Sequence, residues 1–239
     1  MSEDAPSLPP LLSGEPADAP LATAVARARE GTDAGLVTYR MTEAHLSAAL
    51  VLAPEAPLED AMAMLLVAGN GFADAFGALA PSEIACQFDW PGGIRINGAR
   101  CGALRAAAST RDPQAEPDWL VIALDLPFRG DTRSTEPGER PDETTLWEEG
   151  CAEIDPARML ESWSRHTLVW IHEWLDAGIG RIHRDWIGRA WALGKQMTLC
   201  VGGETLSGTF TGLDERGGLL LKDASGVRLV PLSAMLEDV

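Results

Sequence analysis

The sequence predicts an α+β fold in which a mixed β-sheet packed with helices is followed by a small all-β domain. Apolar residues recur at helical spacing in two long segments, after residue 57 and after residue 155, and strand-like segments lie between them. From Gln196 onward apolar and polar residues alternate, which is typical of strands. Hydrophobic residues make up 46% and charged residues 23% of the 239 residues, as in globular proteins. We therefore divide the chain into a domain over residues 1–195 and a second domain over residues 196–239.

The N-terminal part begins with a stretch rich in proline and acidic residues, residues 1–20, which we expect to form an extended lead-in. Residues 21–30 (LATAVARARE) are rich in alanine and favour a helix, and Gly31 suits its C-terminal cap. The apolar residues within 36–40 and 46–52 then predict two strands.

The middle of the chain is predicted to hold a long amphipathic helix over residues 58–79, followed by a group of short strands. Residues 84–105 carry turn signals at Pro91-Gly92-Gly93 and at Asn97-Gly98. Because Asn-Gly is a strong signal for a two-residue hairpin, this segment predicts a small antiparallel unit.

A buried strand, a polar loop and two helices are expected to complete the first domain. Residues 119–126 (WLVIALDL) are almost entirely apolar and predict the strand, and residues 129–145 are polar and predict a long surface loop. Asp155 suits the N-cap of a second long helix and Pro156 its first position. A shorter helix is expected over residues 181–192.

The second domain is predicted to contain four short strands separated by turns that contain glycine. The predicted strands are residues 197–201, 208–213, 218–223 and 227–232. Because so small a module buries little core by itself, we expect it to dock on the first domain.

Charge and cysteine usage exclude several classes of protein. The formal net charge of −17 repels nucleic-acid backbones and anionic membrane surfaces, so we expect neither as a partner. The first residues lack the basic start and apolar run of a secretory signal. The four cysteines have no C-x-x-C spacing and are expected to be free thiols of a cytoplasmic protein.

Two segments come close to known site motifs. Gly69-Asn70-Gly71 begins like a dinucleotide-binding fingerprint, but it lies inside a predicted helix, so close helix packing is the favoured interpretation. His172-Glu173 begins like the zinc-binding helix motif of proteases, but Asp176 stands where the second histidine would be. We therefore expect no metal site.

The most informative segment is residues 84–105, which read IACQFDWPGGIRINGARCGALR. It resembles the biotin protein ligases, in which a strand ends in Trp-Pro-Asn-Asp and a hairpin leads to a Lys-x-x-Gly-x-Leu-type segment. Trp90-Pro91 looks like that strand end. Arg100, followed by Cys101 and Gly102, looks like the second segment with arginine at the lysine position.

The resemblance continues in order over residues 31–239. Residues 119–128 and 156–195 are similar to the following strand and the late helix of these ligases, and residues 196–239 are similar to their small SH3-like β-barrel. Lipoate ligases share the core fold, so the resemblance is to the biotin/lipoate protein ligase family as a whole. It implies a ligase-like mixed sheet with packed helices, followed by an SH3-like barrel.

The resemblance also implies a chemistry. The family activates a carboxylic acid with ATP and transfers the acyl group to a lysine of a carrier protein. It holds the anions with a Gly-Arg-Gly-Arg-type loop after an early strand and with the lysine after the hairpin, and an acid near the Trp-Pro turn helps with metal and phosphate. Here residues 41–45 contain no glycine, Gly92 and Gly93 stand where the family has Asn-Asp, and Arg100 replaces the lysine.

The favoured hypothesis is therefore a ligase-like protein that binds a small carboxylic acid, biotin-like or lipoate-like, with ATP-dependent ligation weakened or lost. Arg100 is the candidate catalytic residue, because arginine keeps the positive charge and can clamp a carboxylate through two hydrogen bonds. The candidate ligand-binding residues lie at the end of the early strand and around the hairpin: Arg40, Trp90, Gly92, Gly93, Arg100, Cys101, Gly102 and Ala103.

Three other hypotheses stay open. An active ligase would use ATP, biotin or lipoate and a carrier protein, with a replacement cation such as Arg105 or Arg129. A cysteine-dependent acyl transferase would use Cys101, with its pKa lowered by Arg100, although a buried and inert cysteine is the favoured interpretation. A pure protein-interaction module would use the second domain and residues 129–145, and would lack a ligand-sized pocket beside Trp90 and Arg100.

Overall fold

The computed structural model describes residues 5–130 and 142–239. The first domain is built on a seven-stranded sheet with the order β1-β2-β3-β7-β6-β5-β4, in which only β1 runs parallel to its neighbour. Its strands are β1 (Ser13–Pro16), β2 (Leu36–Thr42), β3 (His45–Leu52), β4 (Cys86–Asp89), β5 (Gly93–Ile96), β6 (Ala99–Ala108) and β7 (Leu120–Pro127). Its helices are α1 (Pro20–Arg29), α2 (Leu58–Ala61), α3 (Met64–Leu79), α4 (Pro156–Ala177) and α5 (Gly180–Ile187). The α+β fold predicted from the sequence is confirmed.

One face of the sheet is covered by α3 and α4, which pack closely against each other. Helix α3 is buried on nearly all sides, since its residues are almost all apolar or small. The stretch Leu58–Leu79 is long and apolar enough to span a membrane, but 78% of its most apolar window is buried inside the fold. Gly71 lies where α3 meets α4: a Cβ on it would lie 2.8 Å from Thr167 Cα. The Gly69-Asn70-Gly71 segment therefore serves close helix packing.

Among the described helices, α1 is the one that packs on the other face of the sheet. Ala24, Val25 and Ala28 of this helix pack on a smaller apolar cluster that includes Val121 and Ala123 of β7. Because α1 is only ten residues long, it covers part of this face. The sheet surface beyond its N-terminal end is open to a ligand.

Two local features differ from the sequence-based expectations. Strand β1, within the stretch expected to be a lead-in, pairs with β2 through Ser13↔Leu36 to Pro16↔Tyr39. Its sequence, SGEP, has no β-branched residue, so only the pairing with β2 makes it a strand. The helix expected over residues 58–79 is divided at Met62 and Ala63 into α2 and α3.

The second domain is a four-stranded antiparallel sheet with the order β11-β10-β9-β8. Its strands are β8 (Gln196–Val201), β9 (Glu204–Leu213), β10 (Leu219–Asp223) and β11 (Gly226–Val230), and a short 3-10 helix (Leu232–Met235) follows. The four strands confirm the predicted small antiparallel sheet. The SH3-like barrel and the division at residue 195 stay predictions.

The second sheet docks on the first domain through specific contacts. The indole N–H of Trp90 donates to Gly217 O at 3.0 Å, and Arg216 Nε donates to Asp60 Oδ1 at 2.8 Å. Phe210 of β9 is buried in the main core. These contacts hold the two sheets together.

Candidate functional site

The open face of the sheet beyond α1 is formed by β3, β7 and β6, which lie side by side. In this part of the sheet Ser47 pairs with Asp125, and Ala123 lies between Ala49 and Arg105. Ala49 and Ala123 face α1, since both belong to the cluster beneath that helix. Because side chains two residues apart in a strand share a face, Ser47 and Asp125 point to the same side.

This surface is the floor of a cavity of about 520 Å³. The volume falls in the usual range for small-molecule sites, about 300–1,000 Å³. The first turn of α1 forms one wall, and Asp238 and Val239 form another. The lining residues are Asp18, Ala19, Pro20, Leu21, Ala22, Val25, Arg29, Ser47, Ala48, Arg105, Ala123, Leu124, Asp125, Asp238 and Val239. The lining therefore combines an apolar surface with two arginines and three aspartates.

The helix end at this cavity has free hydrogen-bonding capacity. No side chain caps α1 at Ala19, and its first turn contains no acidic residue. The Thr38 hydroxyl donates to Pro20 O at 2.7 Å and so fixes the start of the helix on β2. Since the N-terminal end of a helix carries a partial positive charge, this wall favours an anionic or hydrogen-bond-accepting group.

Asp125 is the best-held polar side chain on the cavity floor. Its Oδ1 lies 2.8 Å from His45 Nε2, and Oδ1 also accepts a hydrogen bond of 2.8 Å from the Ser47 hydroxyl. The hydrogen bond with His45 lowers the pKa of Asp125, and the one from Ser47 adds to this against the opposing effect of burial. Asp125 is therefore a fixed carboxylate that can accept a hydrogen bond from a ligand N–H or O–H group.

The lowered pKa of Asp125 predicts a pH effect on stability. A carboxylate with a folded pKa below the unfolded value stabilises the fold above the unfolded pKa, and this contribution is lost as the pH falls through the folded pKa. We expect the difference in unfolding free energy between the parent protein and Asp125→Asn to be larger at about pH 5 than at about pH 3, because the contribution of the carboxylate is lost as it is protonated. Urea unfolding at a series of pH values measures this difference. Asp33→Asn, an exposed change outside the site, is the control; an equal shrinkage in both variants would contradict the prediction.

Arg105 is the cation placed on the cavity floor. It is exposed, and its positive charge contributes to the lowered pKa of Asp125. In the part of the chain that the structure describes, the Arg105 guanidinium makes no hydrogen bond or ion pair at direct-contact distance. Arg29, by contrast, stacks over the Trp119 ring with its Cζ 5.9 Å from the centroid and donates to Val239 O at 2.9 Å. Arg105 is therefore the better candidate to bind an anionic group.

The structure places Arg100 away from this cavity. Its side chain is exposed, its backbone N–H donates to Asp142 O at 2.8 Å, and its carbonyl accepts from Thr144 N at 2.8 Å. Arg100 is not among the lining residues. Its assignment to the family lysine position stays a prediction.

Three other predicted ligand-binding residues around the hairpin, Trp90, Gly92 and Gly93, take part in packing and do not line the cavity. Trp90 is buried, and its indole N–H donates to Gly217 O in the turn between β9 and β10. A Cβ on Gly92 would lie 2.5 Å from Leu104 O, and one on Gly93 would lie 2.9 Å from Asp89 Cβ. These close approaches explain why small residues occupy the turn.

Gly102, Ala103 and Arg40 lie nearer to the cavity floor without lining it. A Cβ on Gly102 would lie 2.6 Å from Asp125 O, so this glycine lets β6 approach β7. Ala103 of β6 pairs with Asp125 of β7. Arg40 lies on β2, on the side of β3 away from β7, and pairs with Ser47. The structure thus brings Arg40 to the edge of the site and separates it from Trp90 and Arg100.

Cys101 does not have the properties of a nucleophile. Its side chain is buried, and burial raises the pKa of the thiol to about 12. The expectation that Arg100 lowers this pKa is wrong, because the removal of water from the thiol dominates. This observation counts against the acyl transferase hypothesis.

The remaining motifs from the sequence show no site chemistry. His172 Nε2 lies 3.2 Å from Asp176 Oδ2 on an exposed face of α4. Within residues 5–130 and 142–239, no three His, Cys, Asp or Glu side chains are grouped so that they could hold a metal ion. Of the predicted surface loop over residues 129–145, residues 131–141 lie outside the described residues. Arg129, at its start, stacks on Trp147 with its Cζ 4.3 Å from the ring centroid.

Sequence reasoning did not identify Ser47, Asp125, Asp18 or Arg29 as site residues. Ser47 and Asp125 interrupt two apolar strands, HLSAALVL and LVIALDLP, and a polar residue in such a strand is a signal that it faces a site. Asp18 lies two residues before α1 and Arg29 is the last residue of that helix, and neither carries a comparable signal. Only the fold brings them to the cavity.

Comparisons with known proteins agree with this architecture. The model of the biotin/lipoate A/B protein ligase family matches residues 8–188, and that of the biotin protein ligase C-terminal domain matches residues 192–234. A biotin–[acetyl-CoA-carboxylase] ligase from Paracoccus denitrificans is 25% identical over 191 residues, which are 80% of this chain and 79% of that protein.

Two solved structures are similar over almost the whole chain. The crystal structure of a biotin protein ligase-like protein of unknown function from a Silicibacter species has a TM-score of 0.90 and 49% identity, and covers 98% of this chain and 100% of its own. Biotin protein ligase from Aquifex aeolicus has a TM-score of 0.72 and 18% identity, with coverage of 96% and 97%. At that identity the second comparison concerns the fold alone.

Proposed function

Because the chain belongs to the biotin/lipoate A/B protein ligase family, we propose that it binds a small carboxylic acid in the cavity beside α1, with ATP-dependent ligation weakened or lost. The observation that carries this proposal is the turn between β2 and β3. The two strands pair as far as Thr42↔His45, so that only Glu43 and Ala44 join them. This is the place where the resemblance implies the family's glycine- and arginine-rich loop.

A two-residue turn cannot replace that loop. Binding of a phosphate group requires several backbone N–H groups or cations aimed at one point. Neither Glu43 nor Ala44 is a glycine or a cation, and the Ala44 carbonyl already accepts hydrogen bonds from Phe128 N and Arg129 N. The hairpin therefore offers an acidic side chain where an acyl-adenylate would need positive charge, and the cation beside it, Arg129, lies with its Nη1 4.0 Å from Glu43 Oε2.

The Trp-Pro turn has also lost its acid. Gly92 and Gly93 occupy the positions at which the resemblance implies Asn-Asp. The nearest carboxylate in the strand before them, Asp89, accepts a hydrogen bond of 2.6 Å from Arg95 Nε. Since removal of one preorganised charge donor costs a factor of roughly 10² to 10³ in rate, the combined changes predict little adenylation.

The cavity supports binding of an acid. Arg105 supplies a positive charge, Asp125 and Ser47 supply hydrogen-bonding groups, and Val25 and Ala123 supply an apolar surface. A ligand with a carboxylate, an apolar body and an N–H or O–H donor would find a partner for each part. Biotin has all three features, and lipoate has the first two, which makes them the first probes.

The second candidate function is an active ligase. It is favoured by the curated Paracoccus denitrificans ligase, which matches 80% of this chain, and by Arg105, which lies at the cavity as a replacement cation. In that case ATP and biotin would be the cofactors, and a biotin-carrier protein would be the partner. A protein-interaction module is the third outcome, because the cavity lies away from Trp90 and Arg100.

Calorimetric titration and an activity assay separate these functions. Biotin and lipoate are titrated first, ATP is then added, and pyrophosphate release and labelling of a biotin-carrier domain are followed. The Paracoccus denitrificans ligase, assayed in parallel, is the positive control. We expect binding of one acid, no heat with ATP and no labelled carrier. Acid-dependent pyrophosphate release close to that of the control would establish the active ligase instead, and no binding of either acid would leave the interaction module.

A further inference from the structure

The segment that follows the 3-10 helix returns from the second domain to the cavity. Glu237 N donates to Ala106 O at 2.9 Å, on the part of β6 that extends beyond its pairing with β5. Asp238 and Val239 then form a wall of the cavity, opposite the side of β3. The second domain thus supplies part of a site whose floor belongs to the first domain.

Two arginines of the first domain hold this segment. Arg111 Nη2 donates to Leu236 O at 3.3 Å, to Glu237 O at 3.1 Å and to Asp238 Oδ1 at 2.5 Å. Arg29 Nη2 donates to Val239 O at 2.9 Å. Arg29 itself lines the cavity, so a contact that fixes the segment also fixes one of the two cavity cations.

Burial of apolar surface anchors only the start of the segment. Leu236 is 8% exposed and belongs to the main core, whereas the Asp238 side chain is 99% exposed and Val239 is 49% exposed. An exposed ion pair stabilises by only about 0–1 kcal/mol, because water and salt screen it. Residues 237–239 can therefore detach at low cost while Leu236 stays in place.

We propose that residues 237–239 are a gate on the cavity, closed when Arg111 and Arg29 hold them and open when they detach. In the closed state Val239 O occupies Arg29, one of the two cations of a cavity that, under the proposed function, takes an anionic acid. Closure therefore disfavours entry of the ligand, and binding of a carboxylate to Arg105 and Arg29 favours release of the segment. The proposal rests on the proposed function only in taking this cavity as the ligand site.

Access to the cavity can be measured without any ligand. In a Cys200→Ser background, which removes the exposed native thiol, Ser47→Cys places a thiol on the half-buried part of the cavity floor. The rate of its reaction with a small maleimide reports how often the cavity is open. We expect Arg111→Ala to raise this rate about 5-fold, since loss of about 1 kcal/mol from the closed state changes the population by that factor. Ala123→Cys is the second reporter if Ser47→Cys does not fold.

Hydrogen exchange of residues 236–239 tests whether the segment itself moves. We expect the Glu237 amide to be protected in the parent protein and to exchange faster in Arg111→Ala. Arg27→Ala, on the same side of the sheet but paired with Glu15, is the matched control and should change neither measurement.

Each contrary result overturns the gate. A Glu237 amide that already exchanges freely in the parent would show that the segment is not closed. Faster exchange in Arg111→Ala without faster labelling would show that the segment does not control access, and unchanged exchange would show that Arg111 does not hold it. If labelling rises while neither biotin nor lipoate binds, the gate stands and the proposed ligand class fails.

Discussion

Replacing Gly71 with alanine is expected to lower the free energy of unfolding by about 3 kcal/mol, the upper end of the usual cost of overpacking a core. A Cβ at this position would lie 2.8 Å from Thr167 Cα and 2.9 Å from Thr167 N. Both atoms belong to the backbone of α4, so no side-chain rotation relieves the contact. The two helices would have to move apart, and this would loosen the packing of the core behind the sheet.

Urea unfolding of Gly71→Ala and Gly77→Ala measures this effect with a matched control. Gly77 lies in the same helix, is exposed, and a Cβ on it would meet nothing within 4 Å. Because alanine favours a helix over glycine, we expect Gly77→Ala to raise the free energy of unfolding by about 0.5–1 kcal/mol. Equal effects of the two substitutions would show that α3 and α4 do not approach as closely as described.

Replacing Arg105 with glutamine is expected to weaken binding of the carboxylic acid by about 10- to 100-fold. A hydrogen bond to a charged group contributes roughly 1.5–3 kcal/mol, and this range corresponds to that change in Kd. The expected loss follows from the position of Arg105 on the cavity floor, beside Ala123 and near enough to Asp125 for its charge to lower the pKa of that carboxyl. Calorimetric titration with biotin or lipoate, whichever binds, gives the two dissociation constants.

Two controls show whether Arg105 recognises the carboxylate itself. The methyl ester of the same acid lacks the charge, so its affinity should be equal for the parent protein and Arg105→Gln. Arg100→Gln removes the arginine at the predicted lysine position, which lies outside the cavity lining, and should change affinity less than two-fold if the structural placement governs binding. If Arg100→Gln lost affinity for the acid and Arg105→Gln kept it, the result would instead support the assignment of Arg100 made from the sequence.

The hairpin from Trp90 to Leu104 shows both the strength and the weakness of sequence reasoning. Its turns and strands were predictable, because Pro91-Gly92-Gly93 and Asn97-Gly98 act through local backbone preferences. The contribution of the hairpin to the site was not predictable. The face of the sheet on which a side chain lies depends on the register of the strand, and a shift of one residue moves the side chain to the other face. The register of β5 with β6 changes between Ile94 and Arg95.

The cavity itself depends on contacts between distant parts of the chain. The strand order β3-β7-β6 brings Ser47, Asp125 and Arg105 onto one surface, and Asp238 arrives from the second domain. No local sequence pattern predicts that these side chains lie close together. The apolar strands around Ser47 and Asp125 indicated only that a polar side chain would need a partner.

By itself the sequence determined the helices and most strands, the small antiparallel sheet, the family resemblance and the short connection between β2 and β3. Each of these follows from residue periodicity, turn chemistry or the length of chain between two strands, all of which are local. Only the tertiary structure decided that Arg105 rather than Arg100 lines the cavity, that Cys101 is buried with a raised pKa, and that Asp238 and Val239 form one wall. The physical reason is that burial, electrostatic environment and strand register arise from neighbours far apart in the chain.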